Sequence, residues 1–370
     1  MFRSPIPTIW FSVTAAESVN ILIGAAKAVL GARVERSKAE VVRKELSSLG
    51  LVDKTHAIID EGGSVVIPIV SDPPEALVRL HSATVVERLF PPRTFRKDPI
   101  DEILEAISIP ESLKPVLPRK WELFGDVLVI RLDRVLDDFE EIVAESYASV
   151  LHAKTVFKDV GGISGEFRRP ILKKIFGTDS VTVHIENGIK FKFDVSQIMF
   201  SSGNVDERLR MSEIECDGET VVDMFAGIGY FSLPLAVYQK PSRIIACEVN
   251  PVAHSFLVDN IRLNGVYGLV EPVLGDNREL PGSELADRVI MGYVKTTHEF
   301  LPVALRLLKK EGVIHYHETC PNELLPDRPV ERIIENAKGY KVDIERIKEI
   351  KSYAPGISHV VVDARILKPS

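Results

Sequence analysis

A short apolar run, Val221-Val222-Asp223, ends in an acid and leads through Met224 into Phe225-Ala226-Gly227-Ile228-Gly229, and Glu248 follows nineteen residues after the second glycine. A strand that stops at a Gly-x-Gly turn lets a ligand approach the backbone, and a carboxylate ending the next strand can accept from ribose hydroxyls. The spacing predicts a nucleoside-cofactor site, although a lone Gly-x-Gly is also what a tight strand-to-helix turn requires. A dinucleotide would need a third glycine where its pyrophosphate rests on a helix N-terminus, and that position is Ser232. Asp223 before the turn repels phosphate and attracts an ammonium. S-adenosylmethionine, an adenosine without phosphate but with a charged amino-acid tail, fits this pattern. Asp223 either caps the turn or faces that tail.

The surrounding segments repeat the strand-then-helix rhythm of a doubly wound sheet. Asn250-Pro251 opens an amphipathic helix through Ala253, Phe256, Leu257, Ile261 and Leu263 that stops at Asn264-Gly265. A strand over 270–274 ends in Gly275-Asp276-Asn277-Arg278, where an acid and an amide at the ligand edge suit the amino group and ring nitrogen of adenine. Asp276 also suits a turn cap. A strand over 288–291 ends in Gly292-Tyr293, and a helix is expected to close at Lys309-Lys310-Glu311-Gly312 before a strand from Val313 to His317. Tyr353-Ala354-Pro355-Gly356 ahead of Val360-Val361-Val362 predicts a closing hairpin at the sheet edge.

These residues carry a family resemblance. Phe200-Ser201-Ser202-Gly203-Asn204 with Glu207-Arg208, the stretch Asp223 to Gly229, Asn260 with Leu263-Asn264, Gly275-Asp276-Asn277-Arg278-Glu279, Gly292-Tyr293-Val294 with Thr297-His298-Glu299-Phe300, and His315-Tyr316-His317 resemble one group. It is the archaeal and eukaryotic tRNA wybutosine-synthesising aminocarboxypropyltransferases. The tRNA guanine-N1 methyltransferases that modify the same nucleotide are the neighbouring family; they typically carry Asn-Leu-Pro at Gly292-Tyr293-Val294 and Ser-Pro-Arg at Ser202-Gly203-Asn204. Both departures favour the aminocarboxypropyl branch. The resemblance implies an α/β fold with a class I methyltransferase-like Rossmann sheet domain at the C-terminal end, preceded by smaller α+β modules. It implies S-adenosylmethionine as donor, tRNA as partner and attack by a ring carbon of 4-demethylwyosine. The methyltransferase activity is the alternative. Carried over by motif, Glu248 binds ribose, Asp276 and Asn277 the adenine, and Ser201 and Arg208 contact the cofactor from the segment before the sheet, with Arg208 suited to hold its carboxylate or shape its pocket. Asp223, Phe225, Gly227 and Gly229 complete the expected cofactor set. No residue stands out as the proton acceptor.

At 370 residues with 45% hydrophobic side chains, the chain is long enough for two or three cores. The expected modules are residues 1–92, a small α/β unit that contacts the tRNA body in relatives that have one; 100–199, a central α+β module; and 200–370, the catalytic domain. The apolar stretch Val19 to Ala32 contains Lys27, is too short to span a bilayer, and reads as a helix of a soluble, cytoplasmic protein with no membrane contact. A hairpin is expected from Val181-Thr182-Val183-His184-Ile185 and Ile189-Lys190-Phe191-Lys192-Phe193 around Asn187-Gly188. The net charge of −7 leaves room for a local phosphate-binding patch, and residues 151–174 hold six basic residues against two acidic ones. Lys158, Arg168, Arg169, Lys173 and Lys174 are the expected RNA-binding residues, in a module separate from the cofactor sheet. Cys216, Cys247 and Cys320 lack Cys-x-x-Cys spacing and read as reduced packed thiols, and His315 with His317 gives only a weak metal pattern, so no metal is expected. No obligate protein partner is inferred.

Overall fold

The computed structural model describes residues 28–93, 97–165 and 167–369. The chain divides into two compact units, one ending at Lys97 and one beginning at Asp98.

In the first unit, four antiparallel strands run in the order Ile59–Asp60, Ser64–Pro68, Val29–Glu35, Thr84–Arg88. The helices Ala39–Ser48 and Glu75–His81 accompany them, and Ala32, Val34, Val42, Leu46, Val65 and Ile67 form the core. The predicted helix from 19 to 32 is corrected at its described end. Residues 19–27 lie outside the described residues, and from Val29 the chain is a strand paired on both sides, so ladder hydrogen bonds override the apolar run.

In the second unit, helix Pro99–Ala106 precedes a four-stranded sheet ordered Trp121–Phe124, Val127–Ile130, Thr155–Ser164, Arg169–Phe176. Helix Glu140–Leu151 connects the parallel middle pair and buries Val143, Ala144 and Tyr147. The hairpin Val181–Glu186/Ile189–Asp194 turns at Asn187 and Gly188, whose φ values of 47° and 74° are those of a tight primed turn.

A seven-stranded sheet follows, its strands numbered here in chain order: β1 Thr220–Asp223, β2 Arg243–Glu248, β3 Val270–Leu274, β4 Ala286–Met291, β5 Leu308–Pro321, β6 Lys341–Ala354 and β7 Ile357–Leu367. Their spatial order is β3-β2-β1-β4-β5-β7-β6, with β7 antiparallel to both neighbours. The order reverses direction between β1 and β4, which opens a crevice at the carboxyl ends of those strands. The near-continuous burial of β1, β4 and β5 is what a sheet covered on both faces demands. The Lys309–Gly312 segment, expected to close a helix, instead belongs to β5. Glu311 and Gly312 pair with Leu367 and Ile366, and the preceding helix already ends at Leu307.

Two asparagines fasten the hairpin to this sheet domain. Asn260 and Asn264, one turn apart on helix Pro251–Leu263, accept from the backbone N–H of Lys192 (2.7 Å) and Lys190 (2.9 Å), and donate to the carbonyls of the same two residues. A carboxamide presents the donor and acceptor of a peptide group, so the helix edge completes the hairpin's ladder. One core then runs from Phe191, Phe193 and Phe200 to Ile228, Phe231 and Leu233.

Candidate active site

Asp223 ends β1 fully buried. Its Oδ2 accepts from the Ser232 hydroxyl at 2.7 Å and Oδ1 from the Phe225 N–H at 3.2 Å. Burial pushes its carboxyl up to about 6. Of the two roles open to it, Asp223 therefore caps the turn; Met224, Phe225 and Gly227 line the cavity and Asp223 does not. Gly227, at φ 59°, would bring a Cβ within 2.5 Å of the Tyr230 ring, and Gly229, at φ 102°, would meet Leu233 at 2.6 Å. Gly227 lines the cavity, whereas Gly229 lets the turn pack on its own helix.

The cavity at the switch point has a volume of about 450 Å³. Glu248, at the end of β2, holds one oxygen against the Gly227 N–H and the other against the Asn250 N–H, both at 2.7 Å. Each oxygen keeps a lone pair for a diol, the geometry a ribose needs. Burial raises the Glu248 carboxyl, while the two backbone donors favour its ionised form. Asp276 caps the short turn at Asn277–Glu279 and pairs with Arg278 at 2.5 Å, which holds its carboxyl below the usual range. Asn277 donates to the Met224 carbonyl at 2.9 Å, leaving its Oδ1 buried with no hydrogen-bond partner. A buried acceptor facing a cavity calls for a ligand N–H, and the amino group of adenine supplies one. Phe225 and Tyr293 stack at 5.3 Å beside this wall. The residues thus fit the nucleoside of S-adenosylmethionine.

The opposite wall comes from outside the Gly-x-Gly unit. Arg208 is only 3% exposed and forms a bidentate pair with Glu186 (2.6 and 2.7 Å) while donating to the Ser201 carbonyl at 2.9 Å. The bond to the Ser201 carbonyl ties it to the Phe200–Asn204 segment, and Arg208 itself lines the cavity. Ser201 receives a hydrogen bond from the Lys351 amine on β6 at 2.6 Å, and Asn204 Oδ1 is buried without a partner. Arg168, at φ 52° after the tip of the central-sheet hairpin, also lines the cavity. The expected separation of RNA patch from cofactor sheet therefore fails at this residue. A single hairpin carries the chain from one to the other.

Behind this wall lies a buried charge network. Arg210 bonds Glu207 (2.5 and 2.9 Å) and Asp363 (2.7 Å), His315 Nδ1 lies 2.5 Å from Asp363, and Arg288 Nη1 lies 2.8 Å from His315 Nε2. Since Arg288 has only donors there, His315 carries its proton on Nδ1 and gives it to Asp363. Against the burial that would raise it, the His315 hydrogen bond and the Arg210 charge hold Asp363 down at about 2. His317 stacks on Phe231 and lies 3.1 Å from His359, which lines the cavity; burial lowers both histidines to about 3, so both are neutral. These histidines thus serve in hydrogen bonding and stacking.

Of the expected RNA residues, Lys158 is bound to Asp137 and Glu140, and Lys173 to Glu140 at 2.6 Å. Among the described residues Lys174 donates to the Thr178 carbonyl alone, and Arg168 and Arg169 have no ion pair. The cysteines are free and buried, and no helix among the described residues is long and apolar enough to cross a membrane.

Sequence reasoning missed Lys351, Asn204 and the Tyr293 stack. Lys351 had a signal, since it lies two residues before the Tyr353-Ala354-Pro355-Gly356 turn that marks the hairpin.

Comparison with known proteins adds three domain matches: the TRM5/TYW2 methyltransferase domain over residues 182–345, the TYW2 N-terminal domain over 100–180, and the tRNA methyltransferase 5 N-terminal domain over 31–77. The chain is 48% identical, over 74% of its length and 98% of the relative's, to a tRNA(Phe) (4-demethylwyosine(37)-C(7)) aminocarboxypropyltransferase of Pyrococcus horikoshii. It is 33% identical, over 91% of its length and 99% of the relative's, to the tRNA (guanine(37)-N(1))-methyltransferase Trm5b of Pyrococcus abyssi. The crystal structure of P. horikoshii TYW2 in complex with MeSAdo matches with a TM-score of 0.66 at 46% identity, covering 73% of this chain and 98% of that one.

Proposed function

The chain belongs to the TRM5/TYW2 family, and from that membership we propose that it transfers the 3-amino-3-carboxypropyl group of S-adenosylmethionine to C7 of 4-demethylwyosine, next to the anticodon of tRNA(Phe). Methylthioadenosine is the leaving product, and the pathway served is the synthesis of wybutosine derivatives. The observation that carries this reading is the 48% identity to an aminocarboxypropyltransferase over nearly all of that protein, against 33% to the guanine-N1 methyltransferase.

The donor supplies a sulfonium with three activated carbons, so the choice of transferred group is one of positioning. Glu248 and Asn277 fix the adenosine, and the Phe225–Tyr293 stack narrows the cavity beside it. Arg208, pinned by Glu186, sets the Ser201 backbone at the far wall. Residues 200–370 then form the catalytic domain and 100–199 the module presenting the basic hairpin to tRNA, while residues 1–92 contact the tRNA body. Three free, buried cysteines suit a reducing cytoplasm, and no obligate protein partner is required.

Incubation of tRNA carrying 4-demethylwyosine with donor labelled separately in the methyl and carboxyl carbons tests the reading. Carboxyl label alone is expected in the tRNA. Methyl label entering unmodified guanosine would establish the guanine-N1 methyltransferase instead.

A further inference from the structure

The resemblance gives Arg208 either the donor's carboxylate or the shaping of its pocket; three of its five N–H donors go to Glu186 and the Ser201 carbonyl, and the Glu186 pair already offsets its charge. A carboxylate entering the cavity calls for a second cation. Lys351 lines the same wall, and its amine contacts Ser201 Oγ at 2.6 Å but no carboxylate among the described residues. Glu122, whose charge reaches it, accepts from the Ser202 hydroxyl at 2.7 Å. Arg168 stands on the same cavity, also without an ion pair among the described residues, and on a backbone conformation that non-glycine residues seldom adopt. Two cations on one wall, neither in an ion pair among the described residues, make an anion site.

Two further observations shape it. Gly203 leaves the space the lysine uses, since a Cβ there would lie 2.8 Å from Lys351 Cδ and 3.1 Å from Nζ. Asn204 Oδ1 faces the cavity as a buried acceptor without a donor. An amino-acid head group presents one anion and one ammonium. We propose that Lys351 binds the carboxylate and Asn204 Oδ1 the ammonium of the donor's amino-acid chain, with Gly203 making room for the lysine and Arg168 adding positive potential. This assignment rests on the donor reading above. Burial and the nearby Arg168 and Arg208 charges lower the Lys351 ammonium from its usual range, the cost of placing a cation there before its anion arrives.

Calorimetry on the full chain tests it with three ligands: S-adenosylmethionine, its decarboxylated form, and methylthioadenosine, which lacks the amino-acid chain. Lys351→Met is expected to weaken S-adenosylmethionine by roughly 10- to 100-fold, the effect of one charge-assisted hydrogen bond, and to leave the other two within about twofold. Gly203→Ala, which crowds the amine, should follow the same pattern. Asn204→Ala should weaken both amine-bearing ligands and spare methylthioadenosine. Equal weakening of all three ligands by Lys351→Met would make the lysine a merely structural support. Unchanged S-adenosylmethionine affinity with weakened tRNA binding would assign the cation to an RNA phosphate; either result overturns the proposal. If wild-type protein binds none of the three ligands, it is the donor reading that fails.

Discussion

At the end of the cavity lined by Glu248, Asp276 and Asn277, the polar groups come from strand ends and the turns that follow them, and Glu248 supplies the negative charge left over once Asp276 is paired with Arg278. At the other end they come from the Phe200–Asn204 segment, the β6–β7 hairpin and the tip of the central hairpin, and the charges that face inward are positive. Chain separation explains the difference. Glu248 is held by the N–H groups of Gly227 and Asn250, within 21 residues, whereas Lys351 meets Ser201 across 150. A nucleoside end built locally suits any donor with an adenosine. The end built from distant segments is where one transferred group can be distinguished from another.

The largest effect should come from breaking what holds the second end in place. Arg210→Ala would leave Glu207, fully buried, and Asp363, at 6% exposure, without their shared cation. Removing one partner of a buried pair costs about 3–5 kcal/mol. A urea melt should therefore show a large drop in midpoint. A loss below about 1 kcal/mol would mean that the network contributes little and that the wall is held by the hydrophobic core alone.

Next comes Glu248→Ala, which removes the diol acceptor and should weaken S-adenosylmethionine and methylthioadenosine alike, by about 1.5–3 kcal/mol. Equal losses are the signature of the nucleoside end, in contrast to the selective loss expected at Lys351. Calorimetry that finds unchanged affinity in the folded variant would take the ribose away from Glu248.

The uneven legibility of the two ends in the sequence has the same origin. The β1 turn, Glu248, the Asn250 cap and the Asn187-Gly188 hairpin could be read because each is fixed by residues close in the chain. The sequence points to Gly227 and Gly229 as glycines that let a cofactor approach the backbone, with a tight turn as the alternative; their neighbours Tyr230 and Leu233 account for them as well as a ligand does. For Arg208 the sequence leaves open a carboxylate or the shaping of its pocket, because spacing reveals a guanidinium and cannot reveal Glu186, brought to it by a hairpin. Lys158 and Lys173 looked like RNA contacts because the acids that neutralise them, Asp137 and Glu140, lie on the far side of a strand crossover. The segment Lys309–Gly312 was read as helix because two lysines suit a helix C-terminus, whereas pairing with the end of β7 decides it.

Buried groups behind the two ends should also titrate in opposite senses. His317 and His359 have folded values near 3 against about 6.5 unfolded, so their stabilisation is complete above pH 6.5 and is lost as pH falls toward 3. Asp223, raised to about 6, holds its proton in the folded state and favours folding as pH falls from 6 toward its unfolded value. The histidines number two, and the net acid slope should follow them, at roughly 1 kcal/mol per pH unit. His359→Gln should flatten that slope between pH 6 and 4.5 in denaturant melts. An unchanged slope would show that His359 takes up its proton equally in the folded and unfolded chain.

The smallest effect concerns the hairpin that reaches the second end from the central module. If it carries tRNA, the cations that matter are those not already cancelled by carboxylates: Arg169 and Lys174 lack an acidic partner among the described residues, while Lys173 shares Glu140 with Lys158. Replacing Arg169 and Lys174 together by methionine should flatten the dependence of log K for tRNA on log salt by roughly 1–2, because each phosphate that a side chain no longer neutralises keeps about one counterion. The paired replacement Lys173→Met with Glu140→Gln removes one charge of each sign and leaves Lys158 with Asp137, so the slope should stay where it is. S-adenosylmethionine affinity should hold in both variants, because neither touches the cavity wall. Adding Arg168→Met to the first variant should then weaken both ligands, since that residue borders the donor cavity. Equal slopes in all these proteins would place the RNA-binding surface away from the hairpin and leave Arg168 to the donor end alone.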